Sequence, residues 1–341
     1  MLLPFQRDLE ERLLARSPGL DRAVPGIARA AWTAGASGID LLLERGLLSS
    51  EAYREACSAA GPLAALLPWG PFEVTGELGR GACGVVYRAS WRGRPAALKV
   101  LRREVSGHAP ARFAREAALL ARLEHPGIVA LLEAGEHEGA RFIATELHPR
   151  GSLADLRLPL PLRAALALAL ELCAALAYAH ARGVLHRDLK PANVLLALDG
   201  SPRLVDLGLA KELGAEPLTG SCALLGSPRW AAPEQLGGAA SVDARADVYG
   251  LAALLHALLC GEPPFAARTM SELFRAHLRG PAPLPEVPGL EGPARAALSE
   301  LLERALSPRP ELRPESITAL AGELARCARL ARDAPGEGAA G

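Results

Sequence analysis

The chain has 341 residues, half of them hydrophobic, and sets 38 lysines and arginines against 38 aspartates and glutamates. That length supplies enough apolar side chains for one large domain or two to three small ones, while the zero formal charge argues against a protein that holds nucleic acid or an anionic membrane through its overall charge. Cys57, Cys83, Cys173, Cys222, Cys260 and Cys327 show neither C-x-x-C spacing nor clustering, and they read as reduced thiols of a cytoplasmic protein.

Residues 1–70 read as short helices. Phe5, Leu9 and Leu13 recur every four residues among Arg7, Asp8, Glu10 and Glu11, the pattern of an amphipathic helix. Leu41-Leu42-Leu43-Glu44-Arg45-Gly46 ends on a glycine suited to a helix C-cap, and Ser49 or Ser50 is placed to start the next helix. The first residues lack the basic region and apolar core of a secretory leader, so none is expected. Gly61-Pro62 and Pro68-Trp69-Gly70-Pro71 mark a boundary. Two readings of this helical module stand side by side. One is a segment that docks a regulatory partner or regulates the domain after it, and the other is a packing extension that covers that domain.

Gly79-Arg80-Gly81-Ala82-Cys83-Gly84-Val85-Val86 carries G-x-G-x-x-G. In a dinucleotide-binding fold the third glycine opens a helix, but here Val85-Val86-Tyr87 continues with β-forming residues, so a hairpin is expected. No G-x-x-x-x-G-K-[ST] occurs, which removes the P-loop alternative. Ala96-Ala97-Leu98-Lys99-Val100 comes next as a strand. Only Lys99, Lys190 and Lys211 interrupt an otherwise all-arginine set of cations. This suggests a chemical need at Lys99 and Lys190, because arginine's planar fork does not replace a compact ammonium at a phosphate. Ala164 to Ala179 is largely alanine and leucine, is broken by Glu171, and is short of the roughly 20 strongly apolar residues a bilayer crossing needs. A buried helix is expected there.

His186-Arg187-Asp188-Leu189-Lys190-Pro191-Ala192-Asn193 is the stretch with the most chemistry, and Asp206-Leu207-Gly208 comes after it between apolar pairs. Phosphoryl transfer needs hard oxygen ligands for a divalent metal and a group that orients the attacking hydroxyl. Asp206 and the side-chain carbonyl of Asn193 suit Mg²⁺. Asp188 is the candidate to accept or orient the hydroxyl proton, and Lys190 can reach the same phosphate as a point charge.

These motifs, in this order, resemble those of the protein kinase family, and the Lys-Pro-x-Asn form resembles its serine/threonine branch, as in bacterial eukaryotic-like kinases. The resemblance implies an α+β, two-lobed kinase fold, with a small β-rich lobe and a large helical lobe over 71–332, preceded by the helical module 1–70 and followed by a flexible tail, 333–341. It implies an enzyme that transfers the ATP γ-phosphoryl group to protein serine or threonine. Lys99 would contact the α and β phosphates and pair with Glu116 on the following helix. Gly79, Gly81, Gly84, Val86 and Ala97 would line the nucleotide site. Phe142 to His148 resembles the strand and hinge that meet adenine, with Thr145 as a small gatekeeper and backbone groups of Glu146 and His148 on the base.

Further along, His125-Pro126-Gly127 departs from the family's usual asparagine at Gly127. Leu160 to His180 resembles the buried helix that delivers the catalytic loop. Arg187 beside Asp188 goes with control by a phosphorylated activation segment, and Thr219 and Ser221 are the candidate phosphosites there, against the reading that they are ordinary loop residues. Ser227, in a Gly-Ser-Pro where the family usually has Gly-Thr-Pro, would help position Asp188 and Lys190. Asp247 would brace the catalytic loop, Glu234 of Ala232-Pro233-Glu234 would pair with Arg313, and Leu120, Leu131, His186 and Leu207 would form the hydrophobic spine. Two rivals stand beside this reading. One is a catalytically silent pseudokinase serving as an ATP-binding scaffold, although the lysine and both aspartates that such proteins commonly lose are all present. The other is a small-molecule kinase of the aminoglycoside phosphotransferase kind, which Ala232-Pro233-Glu234 and Arg313 disfavour.

Overall fold

The computed structural model describes residues 67–333 apart from 81–83, 102–108, 208–226, 237–241, 266, 268 and 282, together with Gln6, Glu10, Leu14, Ala28, Ile39 and Leu42. The chain divides into two compact units, Met1–Ala117 with Ala130–Leu147, and Ala118–Val129 with His148–Gly341. Gly81, Thr219, Ser221, the helix signals at 5, 9, 13 and 41–50 other than Leu42, and the tail after Asp333 lie outside the described residues.

The first unit is built on a six-stranded antiparallel sheet. Its strands are β1 (Leu67–Trp69), β2 (Phe72–Arg80), β3 (Gly84–Trp91), β4 (Arg94–Leu101), β5 (Leu131–His137) and β6 (Ala140–Glu146), in the order β1-β2-β3-β4-β6-β5. β2 and β3 form the hairpin expected around the glycine-rich stretch, with Arg80 opposite Val85. Two tight hairpins set the remaining register. Arg92-Gly93 joins β3 to β4 and Glu138-Gly139 joins β5 to β6, each pair with both residues at positive φ, the backbone a two-residue turn needs to match strand twist, with glycine second.

Alternation along these strands separates two faces. Val85, Tyr87, Ala89, Leu98, Val100, Phe142 and Ala144 are buried in one core, which Leu14, Ala28, Ile39 and Leu42 join from the first seventy residues. Trp69, Phe72 and Phe142 meet there edge to face or stacked, at centroid distances of 5.1–6.2 Å. Val86, Ala97, Lys99 and Thr145 fall on the other parity and are only half-buried. α1 (Ala109–Leu120) comes after β4.

The second unit is helical apart from the short hairpin of β7 (Val194–Leu196) and β8 (Pro202–Leu204). Its helices are α2 (Leu162–His180), α3 (Arg245–Cys260), α4 (Met270–Arg279), α5 (Gly292–Ala305) and α6 (Ile317–Asp333), with a single helical turn at Pro233–Leu236. α2 packs against α3 and α6, burying Leu162, Leu166, Leu172 and Leu176. Here the structure refines the length argument: α2 has 19 residues and is long and apolar enough to cross a membrane by length and composition, with its apolar face used for packing within the unit. α3 ends as its sequence dictates, on Gly261 at φ 84°, a left-handed cap that suits glycine.

Candidate active site

In the first unit Lys99 points from β4 toward Glu116 on α1, and its Nζ donates to Oε1 at 2.8 Å and Oε2 at 3.0 Å. Glu116 is buried and Lys99 is part-exposed. Lys99 lies opposite Val86 on β3, and Ala97 lies opposite Thr145 on β6, so Val86, Ala97 and Lys99, three of the residues assigned to the nucleotide by sequence, share the half-buried face. Gly79 pairs with Val86 in register. Gly84 has a packing reason to be glycine as well, since a Cβ there would stand 2.4 Å from the Val100 carbonyl oxygen. The N–H of Glu146 donates to the Ala130 carbonyl, so a contact from Glu146 to a base would have to use its carbonyl.

In the second unit the loop between α2 and β7 is held from beneath by one buried carboxylate. Asp247, near the start of α3, accepts from Arg187 N–H at 2.7 Å and His186 N–H at 2.8 Å, and bonds His180 Nε2 at 2.7 Å. Burial by itself would raise the Asp247 carboxyl, but the His180 bond, the neighbouring imidazoles and the Arg187 N–H outweigh it and hold the group below the ordinary carboxylate range. His186 is fully buried, and desolvation lowers its imidazole, so it stays neutral near pH 7 and its Nδ1 accepts from Asp188 N–H at 3.3 Å. A glycine lets this packing close: a Cβ on Gly250 of α3 would lie 3.0 Å from Leu189 Cβ.

The functional end of the loop is a small polar cluster around Asp188. Its Oδ2 accepts from Lys190 Nζ at 2.6 Å and from Asn193 Nδ2 at 3.0 Å, and the same amide nitrogen also donates to the Asp188 carbonyl at 2.9 Å. The carboxylate thus faces a cation and an amide rather than a hydrophobic wall, the setting in which a carboxylate can orient a hydroxyl and take its proton. Arg187 and Asp206 sit at φ 62° and 56°, a conformation rare for residues with side chains and found where surrounding structure over-determines it.

A divalent metal can be tested against these donors. The Nδ2 of Asn193 is engaged by Asp188, which leaves the carbonyl oxygen as its metal-binding atom, and Asp206 is exposed on its left-handed turn. Two hard oxygen donors fit Mg²⁺, which takes its remaining ligands from phosphate and water. Among the described residues no group of three or more His, Cys, Asp or Glu forms a protein-only metal cage.

Two supports surround the loop. Arg313 binds both oxygens of Glu234, at 2.7 and 2.8 Å, and also the Ser307 and Arg245 carbonyls. Gln235 takes a part that sequence reading missed: its Nε2 donates to the Arg187 carbonyl at 2.7 Å while its Oε1 accepts from Ala232 N–H. Only its place directly after Ala232-Pro233-Glu234 could have hinted at this. Leu120, His186 and Leu207 are buried, Leu131 is half-buried, and Ser227 begins a 3₁₀ turn, Ser227–Trp230.

Comparison with known proteins agrees with this geometry. The family model described as the protein kinase domain matches residues 72–323. The DNA damage-responsive serine/threonine-protein kinase RqkA of Deinococcus radiodurans is 38% identical over 261 residues, covering 74% of this chain and 39% of that protein. The serine/threonine-protein kinases PknJ and PknH of Mycobacterium tuberculosis are 39% and 35% identical over 274 and 277 residues, or 76% and 78% of this chain and 45% and 43% of theirs. The chain therefore spans less than half the length of these curated relatives. With the match running from β2 into α6 and taking in Lys99, Glu116, Asp188, Asn193, Asp206 and Asp247, the chain belongs to the protein kinase domain family.

Proposed function

We propose that the chain is a serine/threonine protein kinase that moves the γ-phosphoryl group of ATP to a protein hydroxyl. The hydroxyl oxygen forms a bond to the γ-phosphorus, the bond from that phosphorus to the β,γ-bridging oxygen breaks, and ADP leaves. Asp188 orients the hydroxyl and receives its proton, and Lys190, already 2.6 Å from Asp188, neutralises charge on the transferred group. Lys99, held by Glu116, holds the α and β phosphates. The face carrying Val86 and Ala97, with Gly79 and Gly84 at its rim, covers the nucleotide together with Gly81 of the same motif, and the Glu146 carbonyl and His148 backbone meet the base. Asn193 and Asp206 would hold Mg²⁺, which when bound screens the phosphate charge.

The observation that carries this reading is the Asp188 carboxylate, fixed by Lys190 and Asn193 in a loop that Asp247 holds by two backbone N–H groups. Arg187 supports control by loop phosphorylation, for its buried Nε has no hydrogen-bond partner among the described residues. A phosphate on Thr219 or Ser221 would supply one. On this reading the catalytic domain spans 71–332, its acceptors are proteins, and neither nucleic acid nor membrane is needed for the chemistry. The reaction belongs to the cytoplasm, where ATP is at hand, and the free thiols Cys173, Cys260 and Cys327 suit a reducing compartment. Transfer of labelled phosphate from Mg-ATP to a generic basic protein tests the proposal. Label should be recovered as phosphoserine or phosphothreonine, and label recovered only on a small molecule would refute it.

A further inference from the structure

In a regular strand, residues three apart point to opposite faces. Glu77 and Arg80 do not, because β2 shifts register between Glu77 and Gly79, and such a bulge re-aims the side chains beyond it. Arg80, which lies between the first two glycines of the glycine-rich stretch, is thereby turned onto the buried face with Glu77 and Tyr87. Its Nε and Nη2 bond the two oxygens of Glu77, each at 2.8 Å, and its Nη1 bonds Oε1 of Glu10 at 3.2 Å. The three side chains are 5%, 0% and 2% exposed for Arg80, Glu77 and Glu10.

Glu10 belongs to the first seventy residues, and its second oxygen accepts from Ile39 N–H at 3.2 Å. Gln6, Glu10 and Leu14 are helical at intervals of four, so they share one face. Gln6 donates to the Tyr87 hydroxyl at 2.8 Å, and Leu14 joins the core under the sheet. One helical face therefore meets the glycine-rich hairpin twice, through Gln6 on Tyr87 and Glu10 on Arg80, and adds Leu14 to the core cluster, with a buried ion cluster at Glu10. Buried charges of this kind contribute little net stability compared with apolar packing, and their best-attested use is to fix one arrangement. What Glu10 fixes is Arg80, the last residue of β2, set directly after Gly79 in the glycine-rich stretch.

We propose that Glu10 and Arg80 are positioning residues through which the N-terminal segment sets the affinity of the glycine-rich loop for nucleotide. This rests on reading that loop as part of the ATP site. With the clamp in place, Arg80 at the end of β2 is already held when nucleotide binds. Without it, binding must also fix that residue. The cost falls equally on the bound substrate and the transition state, so it raises KM for ATP and spares kcat.

The test uses the full chain. Binding of a non-hydrolysable ATP analogue with Mg²⁺ is measured by calorimetry, alongside KM, kcat and melting temperature. Glu10→Gln should raise Kd and KM by roughly threefold to tenfold with kcat within about twofold. Gln6→Ala, which removes a neighbouring contact of the same face and leaves the clamp, should lower the melting temperature without moving Kd. Unchanged Kd in Glu10→Gln, or an equal rise in Gln6→Ala, overturns the proposal. If Glu10→Gln does not fold, Glu10→Leu/Glu77→Leu/Arg80→Met, which exchanges all three buried charges for apolar side chains, must show the rise, and a wild-type Kd there is equally fatal. No binding by the wild type would refute the nucleotide reading itself, whereas wild-type binding with no effect of Glu10 would remove this inference alone.

Discussion

Lys99–Glu116 and Arg313–Glu234 are ion pairs of nearly equal length, 2.8 and 2.7 Å, set in very different surroundings. The Lys99 side chain is 26% exposed and bonds the two oxygens of its partner, whereas that of Arg313 is fully buried and also holds two backbone carbonyls. A part-solvated ammonium gives up little to exchange a carboxylate for a phosphate. A buried guanidinium held by a carboxylate and two carbonyls has little to exchange and can only hold. On the proposed function the molecule separates charges that work from charges that brace, and solvent access marks which is which.

Mutation can break that contrast. Lys99→Met should reduce phosphoryl transfer by on the order of 10²–10³, the usual effect of losing one preorganised charge donor, with a smaller fall in melting temperature than Arg313→Ala causes. Arg313→Ala should do the reverse. Removing one partner of a buried pair costs about 3–5 kcal/mol, read as a fall in denaturation midpoint, and the protein that remains folded should keep most of its turnover. A large stability loss in Lys99→Met, or none in Arg313→Ala, would erase the distinction.

Acid sharpens it further. His277 lies against the bracing region, bonding the Tyr249 hydroxyl at 2.9 Å, and burial, with Arg313 adding to it, pushes its imidazole down to about 4. An unfolded chain protonates that imidazole near its ordinary value of about 6.5, and the folded chain resists until about 4. The contribution is therefore whole above about pH 6.5 and is lost as pH falls toward 4, on the order of 3 kcal/mol. His277→Gln should lose stability less steeply over that window in denaturant titrations.

The working residues were the legible part of the sequence. Lys99 and Lys190 stood out because arginine fills nearly every other cationic position, and Asp188, Asn193 and Asp206 because metal and proton chemistry dictate their types and close spacing. The hairpin at the glycine-rich stretch was readable from Val85-Val86-Tyr87. The supports were less legible, because their reasons are tertiary. Gly127 reads as a departure until a Cβ there is seen to fall 2.8 Å from Ala175 Cβ of α2. Gln235 has no local signature. Glu10 and Arg80 look like surface charges, which most such residues are, and only the bulge in β2 and the packing of Gln6 and Leu14 beside Glu10 reveal the pair. Periodicity drew attention to Phe5, Leu9 and Leu13, whereas the described face that meets the sheet is Gln6, Glu10 and Leu14, one residue further on. The buried helix expected from composition at Ala164 to Ala179 is α2, which buries Leu166, Leu172 and Leu176.

The most direct measurement is incorporation of labelled phosphate from Mg-ATP into the purified chain and a generic basic protein, with wild type beside Asp188→Asn. The account predicts label on serine or threonine in the wild type and a loss on the order of 10²–10⁴ in the variant at unchanged melting temperature. Equal label in both proteins, or nucleotide binding by the wild type with no transfer at all, would contradict it.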